Sequence, residues 1–161
     1  MWRMTKISML PLLILLILNG CNAINANDND IFQYKDSYVG DNSAVGNIVS
    51  QLPEGKHLNG FELKTNEEPY GIILNYQGIA TGDYKKIAIN NATFIFTLIH
   101  NVEWVTFNFN NEDNEEYNVT KEKLQKWYEK DLSEFTNVDD LNSFIQEYLQ
   151  DDSKVNQYFE Q

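Results

Sequence analysis

From residue 38 onwards the apolar residues change their spacing repeatedly, and that alternation limits the fold more than any other feature of the chain. YVGDNSAVGNIVSQLP, residues 38–53, sets Ala44, Val45, Ile48, Val49 and Leu52 at helical spacing, with Asp41 or Asn42 as the cap and Pro53 as the stop. FELKT (61–65) and YGIILNY (70–76) alternate at period two and are joined by the NEEP turn, which reads as a hairpin. The order then recurs. Residues 84–99, YKKIAINNATFIFTLI, space Tyr84, Ile87, Ala88, Asn91, Ile95 and Leu98 as a helix, although the β-branched and aromatic run 92–99 alone would also suit a buried strand. VEWVTFNF (102–109) alternates with Val105, Phe107 and Phe109 on one face, and the acidic loop NNEDNEE leads to a short partner strand near Tyr117.

Towards the C-terminus, Thr120 caps a helix presenting Leu124, Trp127 and Tyr128. A second helix presents Val138, Leu141, Phe144, Ile145, Tyr148 and Leu149, and a last half-turn or helix uses Val155, Tyr158 and Phe159. IFQY, residues 31–34, reads as a short strand because Phe32 and Tyr34 alternate with polar neighbours. Helix, hairpin, helix, hairpin and helices make an α+β chain. The simplest arrangement is an antiparallel sheet of about four strands in two hairpins, with helices packed mainly on one face. The two helix-hairpin units have the look of a structural pseudo-repeat without residue-by-residue similarity.

The N-terminus follows a different logic. Arg3 and Lys6 precede an apolar stretch, Ile7 to Leu18, interrupted only by Ser8 and Pro11, and Asn19, Gly20 and Cys21 follow at once. This is the layout of a secretory leader, and it falls short of the roughly 20 apolar residues of a bilayer-spanning helix. Leu18-Asn19-Gly20-Cys21 resembles the lipobox of bacterial lipoproteins. The resemblance implies a signal peptide over residues 1–20 and a diacylglycerol on Cys21, the only cysteine of the chain. Residues 21–30, Asn- and Asp-rich, read as a flexible tether of about 15 to 20 Å, and residues 31–161 as a single domain.

With no second cysteine, the domain cannot form an internal disulfide and must rely on packing. Loss of Arg3 and Lys6 with the leader takes the formal charge from −12 to −14, and fifteen acids stand against five lysines in residues 103–161. Nucleic acid, which draws on clustered Lys and Arg, is therefore not an expected partner. A basic protein or a divalent cation would be attracted, but an acidic surface that keeps the protein soluble is the simpler account of the excess.

The stretch YVGDNSAVGN, with FELKT, PYGIILNY, the NATFIFTLIHNVEWVTF block and a Thr-x-x-x-Leu-x-x-Trp-Tyr helix start, resembles the bacterial family known as domain of unknown function 4825, over roughly Phe32 to Tyr128. That resemblance implies an extracytoplasmic domain of Gram-positive lineages, found in small lipoproteins or attached to membrane metallopeptidases similar to beta-lactam sensors. It supplies no catalytic residues.

Among candidate sites, Tyr38, Asp41, Asn42 and Ser43 surround Gly40 at a helix start, where free backbone N–H groups suit an anion and the same side chains suit a cap. His57 and His100 are the only histidines, are far apart in sequence and lie outside any HExxH motif, so no metal or other cofactor is expected. No serine sits in a nucleophile elbow. The NNEDNEE loop lacks the spacing and glycine of an EF-hand, and the sequons at Asn91 and Asn118 read as chance. Trp104, Trp127, Tyr70, Tyr76 and Tyr128 suit either a sugar or peptide groove or ordinary packing.

These features lead to the expectation of a non-enzymatic, lipid-anchored binding or sensory module on the extracytoplasmic face of the cell membrane. Its partners would be the membrane, through Cys21, and an envelope protein or small ligand. The alternatives are a cell-envelope hydrolase using clustered carboxylates and an accessory partner of a membrane metallopeptidase.

Overall fold

A computed structural model describes residues 30–79, 82–111 and 113–160. The expected leader, its junction at Cys21 and the tether up to residue 29 lie outside the described residues. One unit begins at Ile31. Its elements, in chain order, are α1 (Asn42–Gln51), β1 (Leu58–Lys64), β2 (Gly71–Gln77), α2 (Tyr84–Leu98), β3 (Trp104–Asn110), β4 (Glu115–Thr120), α3 (Lys121–Tyr128), α4 (Val138–Leu149) and α5 (Asp152–Glu160).

The four strands lie in sequence order. β1 and β2 form one antiparallel hairpin, β3 and β4 the other. The α+β class and the two hairpins match the sequence reading, but the seam between them is parallel, with Ile72 beside Val105, Leu74 beside Phe107 and Tyr76 beside Phe109. The sheet is therefore mixed rather than wholly antiparallel. The reason is α2: a helix that carries the chain back across one face delivers β3 in the same direction as β2, as in any strand-helix-strand crossover.

α2 is a helix, and its burial explains why periodicity alone left it ambiguous. Residues 88–98 are all buried, so the helix is enclosed on every side and carries little polar face to mark its period. One side rests on the sheet. The other is covered by the C-terminal helices, where Tyr128 of α3 bonds to Thr93 of α2 at 2.9 Å. Inside the helix Thr93 and Thr97 donate to the carbonyls of Ile89 and Thr93, at 2.7 and 2.8 Å, which satisfies hydroxyls that have no water to turn to. α2 thus lies between the sheet and the C-terminal helices, and at one edge Phe159 of α5 reaches the sheet itself, its ring 5.0 Å from that of Tyr117.

The segment IFQY is not a strand. Ile31–Tyr34 forms one 3-10 turn whose carbonyls accept from Lys35 and Ser37 (3.0 and 3.1 Å), with Ile31 buried and Phe32 and Tyr34 half-buried against the core. A turn of this kind buries alternate apolar residues as a strand would, without needing a sheet edge. Only beyond it does Ser37 make an isolated parallel bridge with Ile99. The final segment forms a full helix, α5, that buries Val155 and Tyr158.

Candidate functional site

The YVGD segment is stapled to the exit of α2. Ser37 N donates to Leu98 O (3.2 Å), His100 N to Ser37 O (2.8 Å), and Val39 N to the Asn101 side chain (2.8 Å). Between these bonds Tyr38 is 58% exposed, its ring edge-on to His100 at 5.6 Å. Asp41 caps α1: its carboxylate accepts from Ala44 N at 3.0 Å, and so occupies the end of the helix an anion would seek. Asn42 opens the helix and Ser43 follows, both exposed. The histidines stay apart in role: His57 touches Gln77 O (3.3 Å) at the end of β2, while His100 lies beyond α2. Among the described residues no group of three His, Cys, Asp or Glu is placed to hold a metal, and the buried polar side chains are Asn90, Asn91, Thr93 and Thr97.

The aromatic candidates divide sharply. Tyr76 and Tyr128 are core residues, Tyr70 packs against the core, and Trp127 is wedged among Tyr128, Tyr148 and Tyr158. Burial pushes the Tyr76 hydroxyl up to about 12, although Asn91 Nδ2, donating to it at 3.2 Å, pulls the other way. That same amide donates to Pro53 O at 3.0 Å and ties the end of α1 to α2, so the Asn91 sequon belongs to a structural residue. Beside Tyr76, the recess between Tyr84 and Phe109 is too narrow to admit a water molecule.

Trp104 is different: it is half-buried yet does not pack against the core. It sits at the start of β3 on the other face of the sheet, beside Gly71 of β2, and its Nε1 donates to Pro69 O at 2.8 Å. A Cβ on Gly71 would come within 2.0 Å of the indole, so the ring occupies the space where a side chain would stand. The strand period of two then sets the rest of this face. Ile73, Thr106 and Asn118 form the next row, with Asn118 Nδ2 donating to Thr106 Oγ1 at 2.9 Å. Asn75, Asn108 and Glu116 form a third, with Asn108 Nδ2 donating to Asn75 Oδ1 at 2.9 Å. Of these side chains none is buried, so no layer of the described residues covers the face.

With this geometry in view, the comparison with protein families is decisive. The model for a domain of unknown function, DUF4825, matches residues 31–120. The chain belongs to that family. No curated protein and no solved structure matches it. The DUF4825 region holds all four strands, α1, α2 and the whole open face, and it ends at Thr120, whose hydroxyl accepts from Lys123 N (3.3 Å) to cap α3. The three C-terminal helices are thus added beyond the DUF4825 match and close over its crossover helix. The amide rows have a sequence signal, the polar members of the alternating strands, Asn75, Thr106 and Asn108, which alternation alone does not mark as a site.

Proposed function

We propose that this chain is a lipid-anchored, extracytoplasmic binding module of a Gram-positive cell envelope, without catalytic chemistry of its own, that captures its ligand on the open face of the DUF4825 sheet. The anchor rests on Leu18-Asn19-Gly20-Cys21 after the apolar run. The binding role rests on one observation: a sheet whose inner face is dry carries on its outer face a tryptophan and a field of paired amides that no layer of the described residues covers. A half-buried indole held by a backbone hydrogen bond is ordered before any ligand arrives, which lowers the entropy cost of binding. Side-chain amides keep part of their hydrogen-bonding capacity after pairing with each other.

Two measurements test the two halves of this reading. Metabolic labelling with a fatty-acid probe should mark the wild type and not Cys21→Ala, and equal labelling of both would remove the anchor. A photo-crosslinking residue at Thr106 should capture a ligand on intact cells, while one at Ser143, exposed on α4, should not. Equal yields from the two positions would remove the open face as the binding surface.

A further inference from the structure

We propose that the open face binds an uncharged, N-acetylated glycan chain, with the Trp104 indole as the stacking plate and the Asn75, Asn108 and Asn118 amides as hydrogen-bonding rungs; this deepens the binding-module reading and rests on it. Three properties of the face carry the assignment.

The first is charge. The chain as a whole stands at −12, yet on this face the Glu62 carboxylate is paired with Lys64 at 2.6 Å and Glu116 at the rim is the other acid. A polyanion would be repelled by the surrounding surface. A strongly basic partner would find better sites among the acids of the C-terminal helices. The near-neutral face is complementary to an uncharged ligand.

The second is hydrogen-bonding capacity. After Asn108 Nδ2 donates to Asn75 Oδ1, the Asn75 NH₂ and the Asn108 carbonyl remain open, and after Asn118 donates to Thr106 its own carbonyl remains open. Turning the Asn75 and Asn108 amides over together exchanges their labels and still leaves one donor and one acceptor side by side. An acetamido group carries the matching pair, one N–H and one C=O, and hydroxyls serve as either.

The third is shape. Trp104 lies in the space above Gly71, so the sheet at this point offers a plate rather than a projecting side chain. Across the sheet, Gly60 pairs with Asn75, and a Cβ there would meet nothing within 4 Å. From Trp104 to Asn108 along β3 is about 13 Å, enough for a short oligosaccharide to touch the plate with one ring and the amides with the next.

The test is retention of the full chain, kept in detergent, on chitin, with cellulose as the hydroxyl-only control. We expect retention on chitin and at least tenfold less on cellulose. Trp104→Ala should lower chitin retention at least tenfold. Asn118→Ala, at an exposed position that cannot disturb the core, should lower it about threefold with an unchanged urea midpoint, and Tyr38→Ala should leave it as it is. Absence of wild-type retention, equal retention on cellulose, or an Asn118→Ala variant with wild-type retention would overturn the glycan assignment. The crosslinker at Thr106 separates the two levels: capture of a protein there, without chitin retention, removes the glycan and leaves the binding module standing. Neither capture nor retention removes both.

Discussion

The two faces of the one sheet are built from the same strands and are opposites. On the inner face Ile72, Leu74, Tyr76, Val105, Phe107 and Val119 are wholly buried, each beside its counterpart on the neighbouring strand. One residue along the chain in either direction, Ile73, Asn75, Thr106 and Asn108 are only half-buried, and side-chain hydrogen bonds join Asn108 to Asn75 and Asn118 to Thr106. The inner face answers to volume, so any loss of it is felt as stability. The outer face answers to chemistry, so changes there should be felt in what the protein binds.

The sharpest way to break this contrast is to remove mass from the inner face. Phe107→Ala should cost about 3 to 5 kcal/mol, read from urea unfolding, because the cavity lies where Leu74 and Tyr117 flank the ring across the strands. A loss under about 1 kcal/mol would mean that the inner face is not the core.

Alkaline pH attacks the core through its buried hydroxyls, Tyr76 on the inner face and Tyr128 and Tyr158 on the helices above it. The Tyr76 pKa is raised by burial to about 12, and Tyr128 and Tyr158 are raised by burial as well. A group whose pKa is raised on folding adds stability below its unfolded value, near 10, and that stability is lost as pH climbs through the folded value. For Tyr76 the loss amounts to about 3 kcal/mol between pH 10 and 12. Tyr76→Phe should flatten this stretch of the stability-pH curve, and an unchanged slope would count against a buried, protonated hydroxyl.

Gly71 joins the two faces. Gly71→Ala drives a methyl into the indole and should cost about 1 to 3 kcal/mol, whereas in a Trp104→Ala background the same change should cost far less. Additive costs in that double-mutant cycle would show that the ring does not fill the glycine's space. The smallest effect belongs to the outer face alone: Asn108→Ala should move stability by under about 0.5 kcal/mol, while its chitin retention falls. A loss as large as that of Phe107→Ala would erase the distinction between the faces.

Much of this was legible in the residues. Strand alternation separated Val105, Phe107 and Phe109 from their neighbours, and capping chemistry located α1 to within a residue, at Asp41 or Asn42, and α3 at Thr120, because both signals are local. The parallel seam was not read from the residues, since local patterns give two hairpins and a helix between them but not which strands of the hairpins lie side by side. Nor was the turn at Ile31–Tyr34, where four residues are too few to distinguish a strand from a 3-10 turn with the same buried side. For the candidate site, the roster of aromatic residues was readable but not their sorting. Nothing in the local sequence says that Trp127 lies among rings and Trp104 lies over a glycine.

The pairing of Gly71 with Trp104 also has a meaning across lineages. The two positions stand 33 apart in the chain but share one volume, so inheritance should treat them as one character. A descendant that gains a side chain at 71 must shrink or move the ring at 104, and one that loses the ring is released from the glycine. Across DUF4825 sequences the two columns should therefore change together, and wherever the pair has come apart the outer face will have taken up a different trade.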